Sequence, residues 1–263
     1  MSDTNRIKHV TLRFFFVCLS FDTFSLVLTK ARKRKGLAKM KENNKKEWYL
    51  GMGFVGMFII WTMLIQKVDV QPIGINGTTI GLATMNGWFH KLTGVHMAMY
   101  HITDWLGLVP IAMCVTFGGV GFLQLIRRRS LVRVDKDIII LGLYYVLVIV
   151  AYLMFEMIPM NYRPVLIEGR MEVSYPSSTT LLVLCVMPTV IEQVNRRINS
   201  ENIRRSVRIL VVIFSMFMVI GRLISGVHWI TDIVGSVLLS IGLFCIYKAV
   251  VMRYNKDEDY DTN

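Results

Sequence analysis

The sequence is poor in charged residues and has no paired cysteines. Charged residues make up 18% of the 263-residue chain, whereas soluble domains carry about 25%. The four cysteines lie singly in apolar stretches, with neither a C-x-x-C pair nor the spacing of a metal site. We interpret Cys18, Cys114, Cys185 and Cys245 as buried thiols. The low charge argues against a soluble protein.

Long apolar runs take the place of the missing charge. Hydrophobic residues make up 54% of the chain, in blocks near or above the roughly 20 residues that a helix needs to cross hydrocarbon. We therefore predict an all-α polytopic membrane protein, with about six transmembrane helices forming a bundle over residues 48–252. The predicted helices are 48–66, 106–126, 138–158, 179–194, 207–220 and 229–251.

Basic residues flank these runs and predict the orientation of the chain. The net charge is +12, and clusters of Lys and Arg lie at 30–46, 127–136 and 196–208. In a six-helix chain these clusters fall on one side, which the positive-inside rule makes cytoplasmic. We therefore predict a multi-pass protein of the cell membrane with both termini in the cytoplasm. The loops 67–105, 159–178 and 222–227 then face outside.

The same clusters bear on the partners of the chain. Basic residues beside apolar runs meet anionic lipid headgroups. The sequence has no basic soluble module with interleaved aromatic residues, which nucleic-acid binding would need. Membrane lipid is the predicted partner, and nucleic acid is not.

Three segments lie outside the predicted helices. Residues 1–47 form a basic N-terminal segment whose apolar stretch 14–29 is either signal-like or interfacial; alternatively the chain starts at Met40, which we favour. The aromatic-rich stretch 88–105 of the first outer loop is typical of a helix at the membrane interface. The acidic tail 253–263 is predicted to be disordered.

One outer helix end carries a His–Asp pair. His228 and Asp232 are four residues apart and so share one helix face. A carboxylate beside an imidazole can hold one ring nitrogen as a donor and leave the other free as a nucleophile or base. Arg222, six residues earlier, is suited to bidentate phosphate binding. An interhelical hydrogen bond, a helix cap or a snorkelling arginine would explain the same residues without a function.

Two further outer segments suit an anion. Arg163 precedes Pro164, which ends the helical pattern. Ser177 and Ser178 follow Pro176 at the start of a helix, where free backbone N–H groups and the positive dipole end attract anions, although an ordinary helix cap has the same sequence. Because the orientation argument places these segments on the same side as Arg222, we predict a phosphate site at the outer face.

These residues resemble the three motifs of the type 2 phosphatidic acid phosphatase and vanadium haloperoxidase superfamily. Those motifs are K-x6-R-P, P-S-G-H and S-R-x5-H-x3-D. Arg163-Pro164 matches the end of the first motif and Pro176-Ser177 the start of the second. The third is matched at its spacing by Arg222, His228 and Asp232. The resemblance, to a divergent bacterial membrane member, covers about residues 106–251.

The resemblance implies roles for the matched residues. His228 would attack phosphorus and form a phosphohistidine, and Asp232 would orient it. Arg163 and Arg222 would clamp the phosphate oxygens, the main task in phosphoryl transfer. Backbone N–H groups near Ser177 and Ser178 would assist. The family needs no metal or cofactor, and we predict none.

Three positions depart from the motifs. Glu156 stands at the lysine, Gly221 at the serine, and Thr179 at the histidine that protonates the leaving group. A threonine hydroxyl is too weak an acid for that task, and general acid catalysis contributes about 10²–10⁴-fold. A diphosphate, whose leaving group needs less protonation, would suffer less. Glu156, if protonated by burial, is one candidate substitute acid, and His96 or His101 is another.

The predicted function is therefore a membrane lipid phosphatase that hydrolyses a phosphate or diphosphate headgroup. Phosphatidate, phosphatidylglycerophosphate and polyprenyl diphosphate are the usual substrate types of such relatives. A headgroup phosphotransferase uses the same site with an alcohol acceptor. A relative that binds phosphorylated lipid without cleaving it is favoured by the threonine at position 179. An unrelated small transporter or scaffold is the remaining alternative.

The favoured start at Met40 predicts the N-terminus of the native protein. Mass spectrometry of protein purified from its source should find the first peptide beginning at or next to Met40. An intact peptide that contains Phe14, Phe15 and Phe16 would contradict this interpretation.

Overall fold

The computed structural model describes residues 42–261, with side chains to residue 254. Within these residues the regular structure is helical. Eight α-helices follow one another, with short 3-10 turns at Ile75–Gly77 and Leu131–Arg133. The helices are α1 Glu42–Lys67, α2 Ala83–Thr93, α3 Met97–Leu106, α4 Leu108–Arg128, α5 Lys136–Met157, α6 Ser178–Arg197, α7 Glu201–Ile224 and α8 Ile230–Asp261.

Six of these segments are long and apolar enough to cross a membrane. They are α1, α3 joined to α4, α5, α6, α7, and α8 as far as Tyr254. The prediction of an all-helical protein with six spanning helices is confirmed, and the predicted ends differ from the observed ones by one to nine residues. The predictions for the stretch 14–29 and for a start at Met40 lie outside the described residues.

Helices α6 and α8 form the centre of the bundle. About half of each apolar window is buried inside the protein, 44% for α6 and 50% for α8, compared with 11–33% for the other four. Because one side of α6 is buried against other helices, it can carry polar residues such as the buried Gln193 in its last turns. This explains why its sequence predicted a short span although the helix continues to Arg197.

The first outer loop differs from its prediction. The single interfacial helix predicted at 88–105 is wrong, because the chain breaks between α2 and α3 at Gly94, whose φ is +67°. Helix α3 then continues through Gly107 into α4 and packs against α7. Trp88 and Trp105 remain exposed, as expected for aromatic residues at a membrane surface.

The C-terminal tail also differs from its prediction. We predicted disorder from residue 253, but the backbone of α8 stays helical to Asp261. Extending an existing helix costs little, since each added residue gains one hydrogen bond after the nucleus has formed. The buried part of α8 provides that nucleus.

Helices α3 and α7 approach closely at Gly221. A Cβ atom added there would lie 2.7 Å from Cγ2 of Thr103 and 3.3 Å from the sulfur of Met99. The Thr103 side chain is fully buried, and its hydroxyl donates to the carbonyl oxygens of Met99 and Tyr100. This contact explains why glycine, and not the serine of the motif, stands before Arg222.

We expect Gly221→Ala to destabilise the protein by about 1–3 kcal/mol, because the added methyl group overpacks a buried contact. The thermal unfolding midpoint in detergent measures the loss. Gly119→Ala is the matched control, since a Cβ atom there meets nothing within 4 Å and alanine favours a helix. Equal midpoints for the two variants would contradict the close approach.

Candidate active site

The turn between α7 and α8 brings the third motif together. Arg222 lies in the last turn of α7, His228 precedes α8, and Asp232 lies in the first turn of α8. The turn is tight at Gly226, whose φ is +68° and where a Cβ atom would lie 1.9 Å from the carbonyl oxygen of Gly94. Only glycine fits that position. The turn therefore packs closely against the loop before α3.

Asp232 is a fully buried carboxylate with three donors around it. Oδ2 accepts from the backbone N–H of Trp229 at 2.9 Å and from the hydroxyl of Ser174. Oδ1 accepts from the side-chain amide of Asn161 at 3.4 Å. Nδ1 of His228 lies 3.6 Å from Oδ2, an ion-pair distance and not a hydrogen bond. Nδ1 lies closer, at 3.3 Å, to the Ser174 hydroxyl.

A hairpin-like loop between α5 and α6 supplies Arg163 and Ser174. It reverses at Glu168 and Gly169, whose φ angles of +49° and +75° suit a two-residue turn. Arg163 N–H donates to the Glu172 carbonyl at 3.0 Å, and Ser174 N–H donates to the Asn161 carbonyl at 2.9 Å. Because side chains alternate along extended arms, Asn161 and Arg163 share one face with Glu172 and Ser174.

The two arginines are buried beside one aromatic ring. Their guanidinium carbons lie 5.6 Å (Arg163) and 5.0 Å (Arg222) from the centre of the Tyr100 ring, within the range of cation–π attraction. Arg163 pairs with Glu172 at 3.1 Å through Nη2. Arg222 pairs with Asp104 at 3.0 Å, also through Nη2. Each arginine thus uses one terminal nitrogen on a carboxylate.

The remaining nitrogens have no partner in the protein. Among the described residues, eight buried side-chain nitrogen and oxygen atoms lack a hydrogen bond, and five of the eight belong to three residues. They are Nε and Nη1 of Arg163, Nε and Nη1 of Arg222, and Nε2 of His228. A buried donor without a partner costs about 1–3 kcal/mol. Four donors and one ring nitrogen at one place indicate a site for an anion.

Two cavities that share three lining residues lie near these groups, and the lining of neither includes Arg222. A polar cavity of about 410 Å³ is lined by Arg163, Ser174 and His228, among others. An apolar cavity of about 530 Å³ lies between α4, α5 and α6 and reaches Asp104 and Thr179. Both cavities are bordered by Tyr152, Ser178 and Leu181.

The comparisons with known proteins concern the fold and the C-terminal part of the chain. A family model described as the PAP2 superfamily matches residues 158–256, which include the hairpin and the third motif. Residues 158–256 are thus similar to the PAP2 superfamily. A solved structure described as the first transmembrane PAP2 type phosphatidylglycerolphosphate phosphatase from Bacillus subtilis is similar in fold, with a TM-score of 0.55 and 15% identity. The similarity covers 78% of this chain and 97% of that one. No curated protein matches the sequence.

The second motif is arranged differently from its prediction. Ser177 is turned inward: its N–H donates to the carbonyl oxygen of Asp232 at 3.3 Å, and its hydroxyl donates to Thr180 at 3.1 Å. Ser177 therefore joins α6 to α8 and does not offer its own N–H to the cavity. Ser178 lines both cavities and begins α6, whose first-turn N–H groups lack acceptors within the helix.

Thr179 has a structural partner. Its hydroxyl oxygen accepts a hydrogen bond from Nη2 of Arg222 at 2.5 Å. Thr179 stands at the position of the motif histidine. Together with Asp104, which accepts from the same nitrogen, it holds the guanidinium group of Arg222.

The candidate substitute acids lie in different surroundings. Glu156 is exposed and lines the polar cavity together with Arg163 and His228. His96 uses Nε2 on the carbonyl oxygen of Thr93 at 2.9 Å. The ring of His101 is tilted against the ring of Tyr100, with the two ring centres 5.2 Å apart. Of the three, only Glu156 borders the cavity that contains His228.

Sequence reasoning missed three residues of the site: Ser174, Tyr100 and Asp104. Ser174 stands two positions before the second motif, where no spacing rule marks it. Tyr100 and Asp104 come from α3, outside the family match. Their spacing of four places them on one helix face, which is the one sequence signal that could have linked them.

Burial lowers the pKa of His228 from 6.5 to about 4. The positive charges of Arg163 and Arg222 act in the same direction, whereas Asp232 opposes them. The imidazole is therefore neutral near pH 7, as a nucleophile must be. Because the unfolded chain takes up this proton first, the stability contributed by neutral His228 is present above pH 6.5 and is lost as the pH falls toward 4.

We expect a titration of ¹⁵N-histidine-labelled protein to show this shift directly. The His228 resonance, identified by its loss in His228→Gln, should titrate near pH 4, because charging a buried imidazole beside two guanidinium groups is unfavourable. A midpoint at or above 6.5 would contradict the electrostatic environment described for the site.

Proposed function

We propose that this chain is a membrane lipid phosphatase that hydrolyses a phosphate or diphosphate headgroup at the outer face of the membrane. One observation carries the proposal. Five buried nitrogens of Arg163, Arg222 and His228 lack a hydrogen-bond partner among the described residues, and a tetrahedral phosphate is the anion whose several oxygens can accept from two guanidinium groups at once.

The roles of the site residues follow from their protonation and position. Neutral His228 offers the lone pair of Nε2 to phosphorus, and Asp232 stabilises the positive charge that forms on the ring. Arg163 and Arg222 bind the equatorial oxygens, where negative charge spreads in the transition state. The backbone N–H groups in the first turn of α6, at Ser178, add to the stabilisation of this negative charge.

The apolar cavity supports a lipid substrate. It opens between α4, α5 and α6 and shares Ser178 and Tyr152 with the polar cavity. A substrate with a phosphate in one cavity and a hydrocarbon chain in the other would fill both. An apolar chain in such a cavity contributes about 0.8 kcal/mol for each buried CH₂ group, so a lipid is favoured over a soluble phosphate ester.

The contact between Thr179 and Arg222 favours a substrate with a good leaving group. Because the threonine hydroxyl accepts from Arg222 and is a weak acid, it supplies no leaving-group proton. We therefore propose a lipid diphosphate as the better substrate. Glu156 is exposed and so lacks the burial that its role as a substitute acid would require. The same contact supports the second candidate function, a protein that binds phosphorylated lipid without cleaving it.

Release of phosphate by the purified protein tests the proposal. A lipid diphosphate should release phosphate, and His228→Gln should reduce release to background. Arg222→Lys should lower kcat by about 10²–10³-fold, because the buried guanidinium N–H groups that would donate to the phosphate oxygens are lost. Arg208→Lys on the exposed inner end of α7 is the matched control and should keep the wild-type rate.

The other outcomes separate the candidate functions. Binding of lipid phosphate that Arg222→Lys weakens, without any turnover, would favour the binding protein. Headgroup exchange with an added alcohol, without release of phosphate, would favour a phosphotransferase. Full activity of His228→Gln would contradict the proposed nucleophile.

A further inference from the structure

Ser174 lies between the two members of the His–Asp pair. Its side chain is buried, with 1% of the residue exposed. Its oxygen is 3.3 Å from Nδ1 of His228, and its hydroxyl donates to Oδ2 of Asp232. The direct distance between Nδ1 and Oδ2 is longer, 3.6 Å. The only separations here within hydrogen-bond range are therefore the two steps through Ser174, from Nδ1 to its oxygen and from its hydroxyl to Oδ2.

The donors and acceptors at this place allow one arrangement. Asp232 is an acceptor, and the single hydroxyl proton of Ser174 is used on it. The Ser174 oxygen can then only accept from His228, so Nδ1 of His228 carries the ring proton. Nε2 consequently holds the lone pair, and within residues 42–254 Nε2 is the ring nitrogen without a hydrogen-bond partner.

The position of Ser174 is determined independently of His228. Its N–H donates to the Asn161 carbonyl across the hairpin at 2.9 Å. The next residue, Tyr175, is buried and its hydroxyl shares a 2.7 Å hydrogen bond with Thr62 of α1. Asn161 in turn reaches Asp232 through its side-chain amide. Contacts with the hairpin and with α1 thus fix the position of Ser174 without any contribution from His228.

We propose that Ser174 is a positioning residue that selects the Nδ1–H form of His228 and aims Nε2 at the phosphorus. The inference rests on the proposed function, in which His228 is the nucleophile. Ser174 links His228 to Asp232 by two successive hydrogen bonds, and Asp232 acts on the ring through it.

The link moves no proton during the reaction. When Nε2 forms its bond to phosphorus, the bond from phosphorus to the leaving oxygen breaks and its electron pair departs with that oxygen. Nδ1 keeps its proton, and the ring becomes a cation that the Ser174 dipole and Asp232 stabilise. When water attacks, its oxygen binds phosphorus, its proton passes to solvent, and the electron pair of the N–P bond returns to Nε2.

The test compares four forms of the full-length protein in detergent: wild type, Ser174→Ala, Ser174→Thr and the control Ser240→Ala. Ser240 is a buried serine of the same bundle whose hydroxyl donates to the Val237 carbonyl in α8. Two readouts are used, the ¹⁵N tautomer signature of His228 among the five histidines of the chain and the kinetics of a lipid diphosphate.

We expect the wild type and Ser174→Thr to show the Nδ1–H tautomer at pH 7, and Ser174→Ala to show a mixture. Ser174→Ala should lower kcat by about 10–100-fold, the size usual for a residue that orients a functional imidazole, with KM within about twofold because it touches no phosphate. Ser240→Ala should match the wild type. If Ser174→Ala fails to fold, Ser174→Cys keeps the volume with a weaker donor and should also mix the tautomers.

Two results would overturn the inference. The first is a pure Nδ1–H tautomer and an unchanged kcat in Ser174→Ala, which would mean that Asp232 orients the ring directly. The second is the other tautomer in the wild type. Because the tautomer is read without substrate, it tests Ser174 even if the wild type cleaves no lipid phosphate, an outcome that would contradict the proposed function alone.

Discussion

Two buried guanidinium groups close to one another are the constraint on which this structure depends. Arg163 and Arg222 share the ring of Tyr100 and have small exposed fractions, 8% and 1%. Charges in such surroundings repel one another and lose their hydration, which one carboxylate partner each only partly offsets. Both side chains keep Nε and Nη1 unpaired. An anion with several oxygens relieves the repulsion and satisfies the donors together, so the same arrangement that is costly in isolation favours a bound phosphate.

The rest of the fold holds these groups in place from three directions. The hairpin between α5 and α6 presents Arg163 and Ser174, and Trp229 ties it to α8 through a hydrogen bond from Nε1 to the Tyr162 carbonyl at 2.8 Å. Helix α3 supplies the aromatic ring and the carboxylate of Asp104. The turn before α8 carries His228. Since functional groups must be held by rigid neighbours to act together, the contacts between these segments are part of the site.

Much of the fold could be predicted from the sequence, because a bilayer demands long apolar helices and marks their inner ends with basic residues. The third motif could also be predicted, because its residues keep a fixed spacing around the start of a helix and this spacing limits where their side chains can lie. Contacts between distant segments could not be predicted. The break at Gly94 follows from its contact with Gly226, and Ser174 meets Asp232 across 58 positions of the chain.

Thr179 is an example, within a motif, of a contact that could not be predicted from the sequence. The sequence revealed that a histidine is absent there, which predicted a weaker acid. Only the structure shows what the threonine does, because its hydroxyl accepts from Arg222 beside Asp104. The hydrogen bond between Thr179 and Arg222 depends on three-dimensional contacts and could not be predicted from the residue type.

The most direct measurement of the central claim is the thermal stabilisation of the full-length protein by orthovanadate, a mimic of the phosphoryl group in transfer. A ligand that binds the folded state raises the unfolding midpoint with concentration. The account predicts such a rise for the wild type and its loss in Arg222→Gln, with the midpoint of both proteins unchanged by chloride at equal ionic strength. No rise in the wild type, or an equal rise in both proteins, would contradict a phosphate site built on Arg163, Arg222 and His228.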